Sequence, residues 1–184
     1  MRRFRPTAIM AIIGALAALL LGAAPANASS ACASVIAGWG SGDKTGSGAT
    51  SAELTGARIG DDGCFDRFVL DFAPGALPAT YHVGYASEVY TEGQDLPMSS
   101  HTPHGTGGLI AVHLQEQASP SLTYSVLGPM VPTANRLGIW SATWGGAFEG
   151  HITSAVGARA RLPLRVFTLS SPNRLVIDVG HSWR

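Results

Sequence analysis

The chain has few charged residues, few aromatic residues and only two cysteines. Charged side chains make up 13% of its 184 residues and aromatic ones 8%, and 12 basic residues balance 12 acidic ones. Because phosphate neutralisation supplies most non-specific affinity for nucleic acids, the lack of a long basic run predicts no nucleic-acid partner. After residue 28 the chain also lacks a long apolar run and a helical period over three turns. This part therefore predicts neither a helical bundle nor a stable membrane span.

The N-terminus has the three parts of an export signal. Three arginines precede an apolar run over residues 8–21, and a small-x-small cleavage sequence ends at Ala28. The apolar run is shorter than the roughly 20 residues that a membrane-spanning helix needs. We predict a signal peptide over residues 1–28 with cleavage after Ala28, and a secreted protein of the cell envelope. Cleavage leaves nine basic and 12 acidic residues, a net charge of −3.

Both cysteines follow the predicted cleavage site. Outside the cytoplasm an even number of cysteines indicates disulfide bonding, so we predict a bond between Cys32 and Cys64, with two free thiols as the alternative. Neither cysteine has a basic neighbour that would activate it, so no catalytic cysteine is predicted. Residues 29–54 are assigned as a Gly/Ser-rich N-terminal arm. Within it, residues 38–52 predict little regular structure, and Trp39 would pin the arm to the domain.

Residues 55–184 predict a single all-β domain. Short stretches of alternating apolar and polar residues are separated by Gly and Pro at strand length. This spacing is typical of an antiparallel β-sandwich or open barrel. The predicted strands include residues 64–72, 109–114, 124–127, 137–143 and 148–156, with a tight turn over 145–150.

The C-terminal region predicts a hairpin whose register follows from its loop. Residues 164–169 and 174–179 are β-rich runs that flank four turn-forming residues. A four-residue loop places Arg165 opposite Asp178, on the face turned away from the main core. In the alternative, Arg165 pairs with Glu149 or Asp66 and marks a polar functional face.

Five residues are predicted to bind a ligand. Trp140 and Trp144 fall on one face of a regular strand, where they either stack on sugar rings or lie in the core. Glu149, in the predicted turn, is placed to accept hydrogen bonds from Arg67 or Arg165, either as part of a site or as a structural ion pair.

The sequence predicts no catalytic residue, metal or cofactor. His101 and His104 supply two of the three or four ligands that zinc usually needs, so they predict a surface loop. Asp61 and Asp62 are adjacent and predict a solvated turn. Residues 105–108 are rich in glycine but lack the lysine of a phosphate-binding loop.

Four segments carry a family resemblance. They are residues 57–60 leading into 64–71, then 145–150, 158–167 and 172–179, which closes on Arg-Leu-Val-Ile-Asp-Val. Together, within residues 39–183, they resemble the AMIN-like domain of secreted actinobacterial proteins and lipoproteins. The resemblance implies a β-sandwich-like fold, and better-studied AMIN domains target envelope proteins to peptidoglycan. We expect two departures from the family, the lack of an attached amidase domain and the lack of a lipidation sequence, and these departures predict a module that is released or only loosely held.

Three functional hypotheses follow. The leading one is a secreted, non-enzymatic envelope module that binds cell-wall glycan or an envelope protein. The second is a secreted hydrolase whose site joins Glu149 to the loop over residues 101–104. The third is a structural or inhibitor-like protein that acts through its loops.

Overall fold

The computed structural model describes residues 28–47, 53–75 and 80–183. These ranges hold one α-helix, one short 3-10 helix at Ser99–His101, and nine β-strands. The helix is α1 (Ala28–Ile36), and the strands are β1 (Lys44–Ser47), β2 (Leu54–Asp61), β3 (Phe65–Phe72), β4 (Thr80–Tyr85), β5 (Leu109–Leu114), β6 (Ile139–Phe148), β7 (His151–Ala158), β8 (Leu164–Leu169) and β9 (Arg174–Gly180).

The strands form two antiparallel sheets that pack face to face. The five-stranded sheet has the order β1-β4-β5-β7-β6, and the four-stranded sheet has the order β2-β3-β9-β8. Their facing residues form one core, in which Phe68, Ile110 and Ile177 are fully buried. Burying each such side chain stabilises the fold by about 1.5–3 kcal/mol. The all-β prediction is confirmed, and the strands of the described residues form a sandwich and not a closed barrel.

The C-terminal hairpin has the predicted register. Arg165 pairs with Asp178, and the pairing runs from Leu164 with Val179 to Leu169 with Arg174. The alternation along both strands predicts a core face made of Leu164, Val166, Thr168, Leu175, Ile177 and Val179. Four of these residues are buried and two, Val166 and Thr168, are half-buried. The opposite face is also covered, because Asp178 has no exposed surface.

The segment before β2 is more ordered than we predicted. The expectation of little regular structure over residues 38–52 is wrong where β1 lies, since β1 extends the five-stranded sheet by pairing with β4. The helix α1 precedes this stretch. The disulfide prediction is confirmed, since Cys32 and Cys64 are bonded with their Cα atoms 5.1 Å apart. Trp39 is buried against Phe65, with ring centroids 5.3 Å apart. These tertiary contacts explain the order, which a Gly/Ser-rich composition does not show.

Two local predictions are wrong. Residues 124–127 are not a strand; they run beside β6, where the Leu127 amide donates to the Trp144 carbonyl at 2.8 Å. The predicted turn over residues 145–150 begins too early, because β6 continues to Phe148 and reverses at Glu149 and Gly150. Both of these residues have positive φ, of 47° and 80°, which is the geometry of a tight hairpin turn.

The predicted signal peptide lies almost wholly outside the described residues, as only Ala28 falls within them, at the start of α1. It therefore stays a prediction, as does the boundary between the arm and the domain. Among the described residues, no helix has both the length and the apolar character that crossing a bilayer requires.

Candidate functional site

An open groove lies beside the end of β6. It has a volume of about 520 Å³. Its walls are residues 92–94, five residues between positions 118 and 126, and four residues near the end of β6. A volume of this size is within the usual range for ligand-binding pockets, about 300–1,000 Å³. The side chains that bear on ligand binding are Glu92, Gln94, Ser119, Tyr124, Trp144 and Phe148.

Glu92 is held firmly at the groove. Its amide donates to the Gly145 carbonyl at 2.9 Å, and its Oε1 accepts from the Thr153 hydroxyl at 2.6 Å. The loop that carries Glu92 is closed by Glu88, whose carboxylate accepts from the backbone amides of Val89, Met98 and Ser99. The Ser99 hydroxyl also donates to Glu88, and this bond is the largest cause that lowers the pKa of Glu88. Glu92 therefore projects from a fixed loop.

The aromatic side chains of the groove have different roles. Trp144 is buried in the core, and its ring centroid lies 5.6 Å from that of Tyr124. The Tyr124 hydroxyl accepts from the Ala57 amide at 2.9 Å, which ties this wall to β2. Phe148, by contrast, is 54% exposed. Gly93 lies against the Phe148 ring, since a Cβ added to Gly93 would be 3.3 Å from Phe148 Cγ. Phe148 thus offers an aromatic surface to a ligand.

A row of polar side chains leads to Glu92 across the five-stranded sheet. His82, His113 and Thr153 are register partners on β4, β5 and β7. The two imidazole rings stack at 6.3 Å, and His113 Nδ1 lies 2.8 Å from the Thr153 hydroxyl. Since that hydroxyl donates to Glu92, His113 Nδ1 carries the proton and donates to Thr153. Packing of the ring against its neighbours and then the charge of His82 lower the pKa of His113, and Glu92 opposes the shift.

Arg67 and Arg165, both predicted as binding residues, meet at one buried carboxylate. Arg67 donates to Asp178 through Nε at 2.7 Å and Nη2 at 2.9 Å. Arg165 donates to Asp178 Oδ2 through Nε at 3.2 Å and Nη2 at 2.5 Å. The hydrogen bond to Asp178 is the main cause that raises the pKa of Arg67. Neither arginine pairs with Glu149, so that part of the prediction is wrong.

Aromatic rings enclose the two guanidinium groups. The Arg165 guanidinium carbon lies 4.5 Å from the ring centroid of Trp39 and 4.8 Å from that of Phe167. The Arg67 guanidinium carbon lies 5.1 Å from the Phe65 centroid. These are cation–π distances, and they join the segment before β2 to the four-stranded sheet. The arrangement is a structural lock, in which both carboxylate oxygens of Asp178 accept from the two arginines.

Trp140 and Trp144 do not share a face, contrary to our prediction. Ile139 pairs with Ala158 and Ser141 pairs with Gly157, which leaves Trp140 as the extra residue of a β-bulge. Trp140 is therefore 43% exposed, whereas Trp144 is only 6% exposed.

The site of the hydrolase hypothesis does not form. The carbonyl of His101 accepts from the Thr143 hydroxyl, whereas Glu149 is an exposed residue of the turn after β6. Six residues of extended strand separate these two positions, which corresponds to about 20 Å. Neither His101 nor His104 lines the groove, and nor does Glu149.

Sequence reasoning missed Glu92, Thr153 and Phe148 as a group. They come from a loop and from two strands, and only the strand order brings them together. Phe148 gave a weak signal in the sequence. It is an aromatic residue at a predicted turn, where packing alone seldom requires an exposed aromatic side chain.

Comparison with known proteins supports the resemblance. A search of curated proteins finds no match to the chain. The family model of the AMIN-like domain matches residues 52–181, which cover the whole sandwich except β1. This family is related to the cell envelope, and the Cys32–Cys64 disulfide is of the kind found in extracytoplasmic proteins. The chain belongs to the AMIN-like domain family.

Proposed function

We propose that this protein is exported and binds the glycan strands of the cell wall in the groove beside β6, without cleaving them. One observation carries the proposal: the groove combines an exposed aromatic ring, Phe148, with a fixed carboxylate, Glu92. A sugar ring has an apolar face that packs on an aromatic ring and hydroxyls that donate to a carboxylate. Gln94 and Ser119 add polar groups for the remaining hydroxyl and acetamido groups.

The composition of the groove favours binding over hydrolysis. Glycoside hydrolysis generally uses two carboxyl groups on either side of the scissile bond. Among the described residues that line the groove, Glu92 alone carries a carboxylate. Its Oε1 is occupied by Thr153, which suits a fixed acceptor better than a group that exchanges protons with a substrate.

The test is sedimentation of the purified protein with purified peptidoglycan sacculi. Phe148→Ala removes the stacking surface, and Glu92→Gln keeps the shape while removing the charge. Trp140→Ala is the matched control, because Trp140 is an exposed aromatic residue outside the groove. We expect the wild type and Trp140→Ala to sediment equally. Phe148→Ala should bind about 5- to 150-fold more weakly, since an aromatic stacking contact contributes about 1–3 kcal/mol. Glu92→Gln should bind about 10- to 150-fold more weakly, since a hydrogen bond to a charged group contributes about 1.5–3 kcal/mol.

Salt dependence separates this binding from charge attraction. Stacking and hydrogen bonding to a glycan persist at high salt, whereas exposed charge pairs are screened. Recovery of the wild-type protein entirely in the supernatant at both low and high salt would refute the proposal. Equal binding of Phe148→Ala and the wild type would place the site elsewhere.

A further inference from the structure

A second cluster of polar side chains lies at the turn between β2 and β3. Asp61 is the last residue of β2, Asp66 is its register partner on β3, and His181 directly follows β9. Pairing of Phe65 with Gly180 brings His181 to the same end of the sheet. One ligand atom of each of the three side chains lies within 4.8 Å of the others. None of the three lines the groove.

Backbone groups outside the three side chains fix each of them. Asp66 has no exposed surface, and its Oδ2 accepts from the amides of Gly138 at 2.7 Å and Ile139 at 2.8 Å. Asp61 Oδ1 accepts from the Gly63 amide at 2.8 Å. Each carboxylate is thus held by backbone amides through one oxygen, and the other oxygens, Asp66 Oδ1 and Asp61 Oδ2, do not take part in these bonds.

His181 turns its Nε2 toward Asp66. Its Nδ1 lies 3.1 Å from the Gly63 carbonyl, which only accepts, so Nδ1 carries the ring proton. In the neutral ring Nε2 then has a lone pair, yet it lies 3.1 Å from Asp66 Oδ1, which is also an acceptor. Either a proton on Nε2 or a bound cation satisfies this contact, and the nearby carboxylate of Asp61 provides a further ligand atom for a cation. A metal-bound histidine typically donates its other ring N–H to a backbone carbonyl, as His181 does.

We propose that Asp61, Asp66 and His181 bind a divalent transition-metal cation, with Zn²⁺ as the best match. One imidazole nitrogen and two carboxylate oxygens form a mixed set that suits Zn²⁺, whereas Mg²⁺ and Ca²⁺ prefer oxygen ligands throughout. Three protein ligands leave a fourth position for water or for a ligand group. Asp61 is 41% exposed in its side chain, so the cation has a path from solvent.

Arg136 is the cation that competes for Asp61. Its Nη1 lies 4.0 Å from Asp61 Oδ2, which is beyond a good hydrogen bond. Its buried Nε has no hydrogen-bond partner among the described residues. A bound metal ion has to overcome the positive charge of this loosely held guanidinium. Removing that charge with Arg136→Met therefore tightens metal binding, an effect that a purely structural His181–Asp66 pair does not produce.

Isothermal titration of the metal-free, disulfide-intact protein with Zn²⁺ alone tests the site. We expect one equivalent to bind to the wild type, and Asp61→Asn and His181→Ala to weaken binding by more than about 100-fold, the upper end of what loss of a supporting partner costs. Asp62→Asn is the matched control, since it removes the same charge from the adjacent exposed residue. Asp61 is exposed, so Asp61→Asn tests the site even where His181→Ala impairs folding.

Two outcomes overturn the proposal. The first is no stoichiometric binding by the wild type, in which case His181 and Asp66 form an ion pair only. The second is an equal affinity of Asp61→Asn and Asp62→Asn for Zn²⁺, which shows that the ion binds through other residues. Tighter binding by Arg136→Met, together with loss in Asp61→Asn, supports the assignment. Glycan binding by Phe148→Ala is measured separately, so the two proposals stand or fail independently.

Discussion

Replacement of Asp178 by asparagine tests the lock between the two arginines. Asp178 is fully buried and accepts from both Arg67 and Arg165. Asparagine keeps the size of the side chain but removes its charge, and its amide nitrogen presents a donor where the guanidinium groups also donate. The variant therefore leaves two positive charges near each other without their common counter-charge.

The expected loss of stability follows from burial. Removing one partner of a fully buried ion pair costs about 3–5 kcal/mol. The side chains of Arg67 and Arg165 are 34% and 41% exposed, so water compensates for part of that loss. We expect Asp178→Asn to lower the free energy of unfolding by about 2–4 kcal/mol. This is a large share of the roughly 5–15 kcal/mol that stabilises a typical domain.

The chain contains a matched control in Asp71. This aspartate also lies on a strand and pairs with an arginine, Arg58, at 2.8 and 2.9 Å, but their side chains are 30% and 53% exposed. Asp71→Asn should cost only about 0.2–1 kcal/mol. Urea unfolding, followed by far-UV circular dichroism, measures both variants, and an unchanged m-value makes the comparison valid. Equal losses for Asp178→Asn and Asp71→Asn would refute the argument that burial sets the strength of this cluster.

Three further predictions concern the disulfide, the tryptophans and pH. The double variant Cys32→Ser/Cys64→Ser should unfold at a lower urea concentration, because opening a loop of 32 residues lowers the free energy of unfolding by about 3–4 kcal/mol. A loss below about 1 kcal/mol would mean that packing already holds the segment before β2 in place. Trp144→Ala should lower the free energy of unfolding by about 3–5 kcal/mol, because it empties a core position. Trp140→Ala should change it by less than about 0.5 kcal/mol. A larger loss for Trp140→Ala than for Trp144→Ala would contradict the bulge. The pKa of His113 is lower in the folded protein than in the unfolded chain, so the unfolded chain binds more protons. The stability of the fold should therefore decrease as the pH drops below about 6.5, the ordinary pKa of histidine. Urea titrations between pH 5 and 8 should show a weaker dependence for His113→Gln, and an unchanged dependence would assign the effect to another group.

Local patterns were sufficient for the hairpin and the disulfide. The register of β8 and β9 depends only on a four-residue loop and on the period of two along a strand, and both are visible in adjacent residues. Pairing of Arg165 with Asp178 followed from these two facts. The disulfide needed only a count of two cysteines and a predicted oxidising location.

Predictions failed where a neighbouring strand altered the local pattern. A single extra residue in β6 turns Trp140 to solvent, and alternation read from the sequence assumes that no such residue exists. The segment before β2 has the composition of a flexible linker, yet Trp39 and Cys32 give it partners on β3 and next to it. Asp178 also accepts from two arginines, because β9 lies between β3 and β8 and Asp178 is the register partner of both Arg67 and Arg165, whereas the hairpin alone predicted only Arg165.

The amino-acid sequence by itself determined the class of fold, the final hairpin and the pairing of the cysteines, because these depend on residues close in sequence or on composition. The tertiary structure decided both candidate sites. Glu92 meets Phe148, and Asp61 meets His181, only because the strand order brings together segments that are far apart along the chain. Strand order is set by the total burial of two sheet faces against each other, a property of the whole domain that no single segment carries.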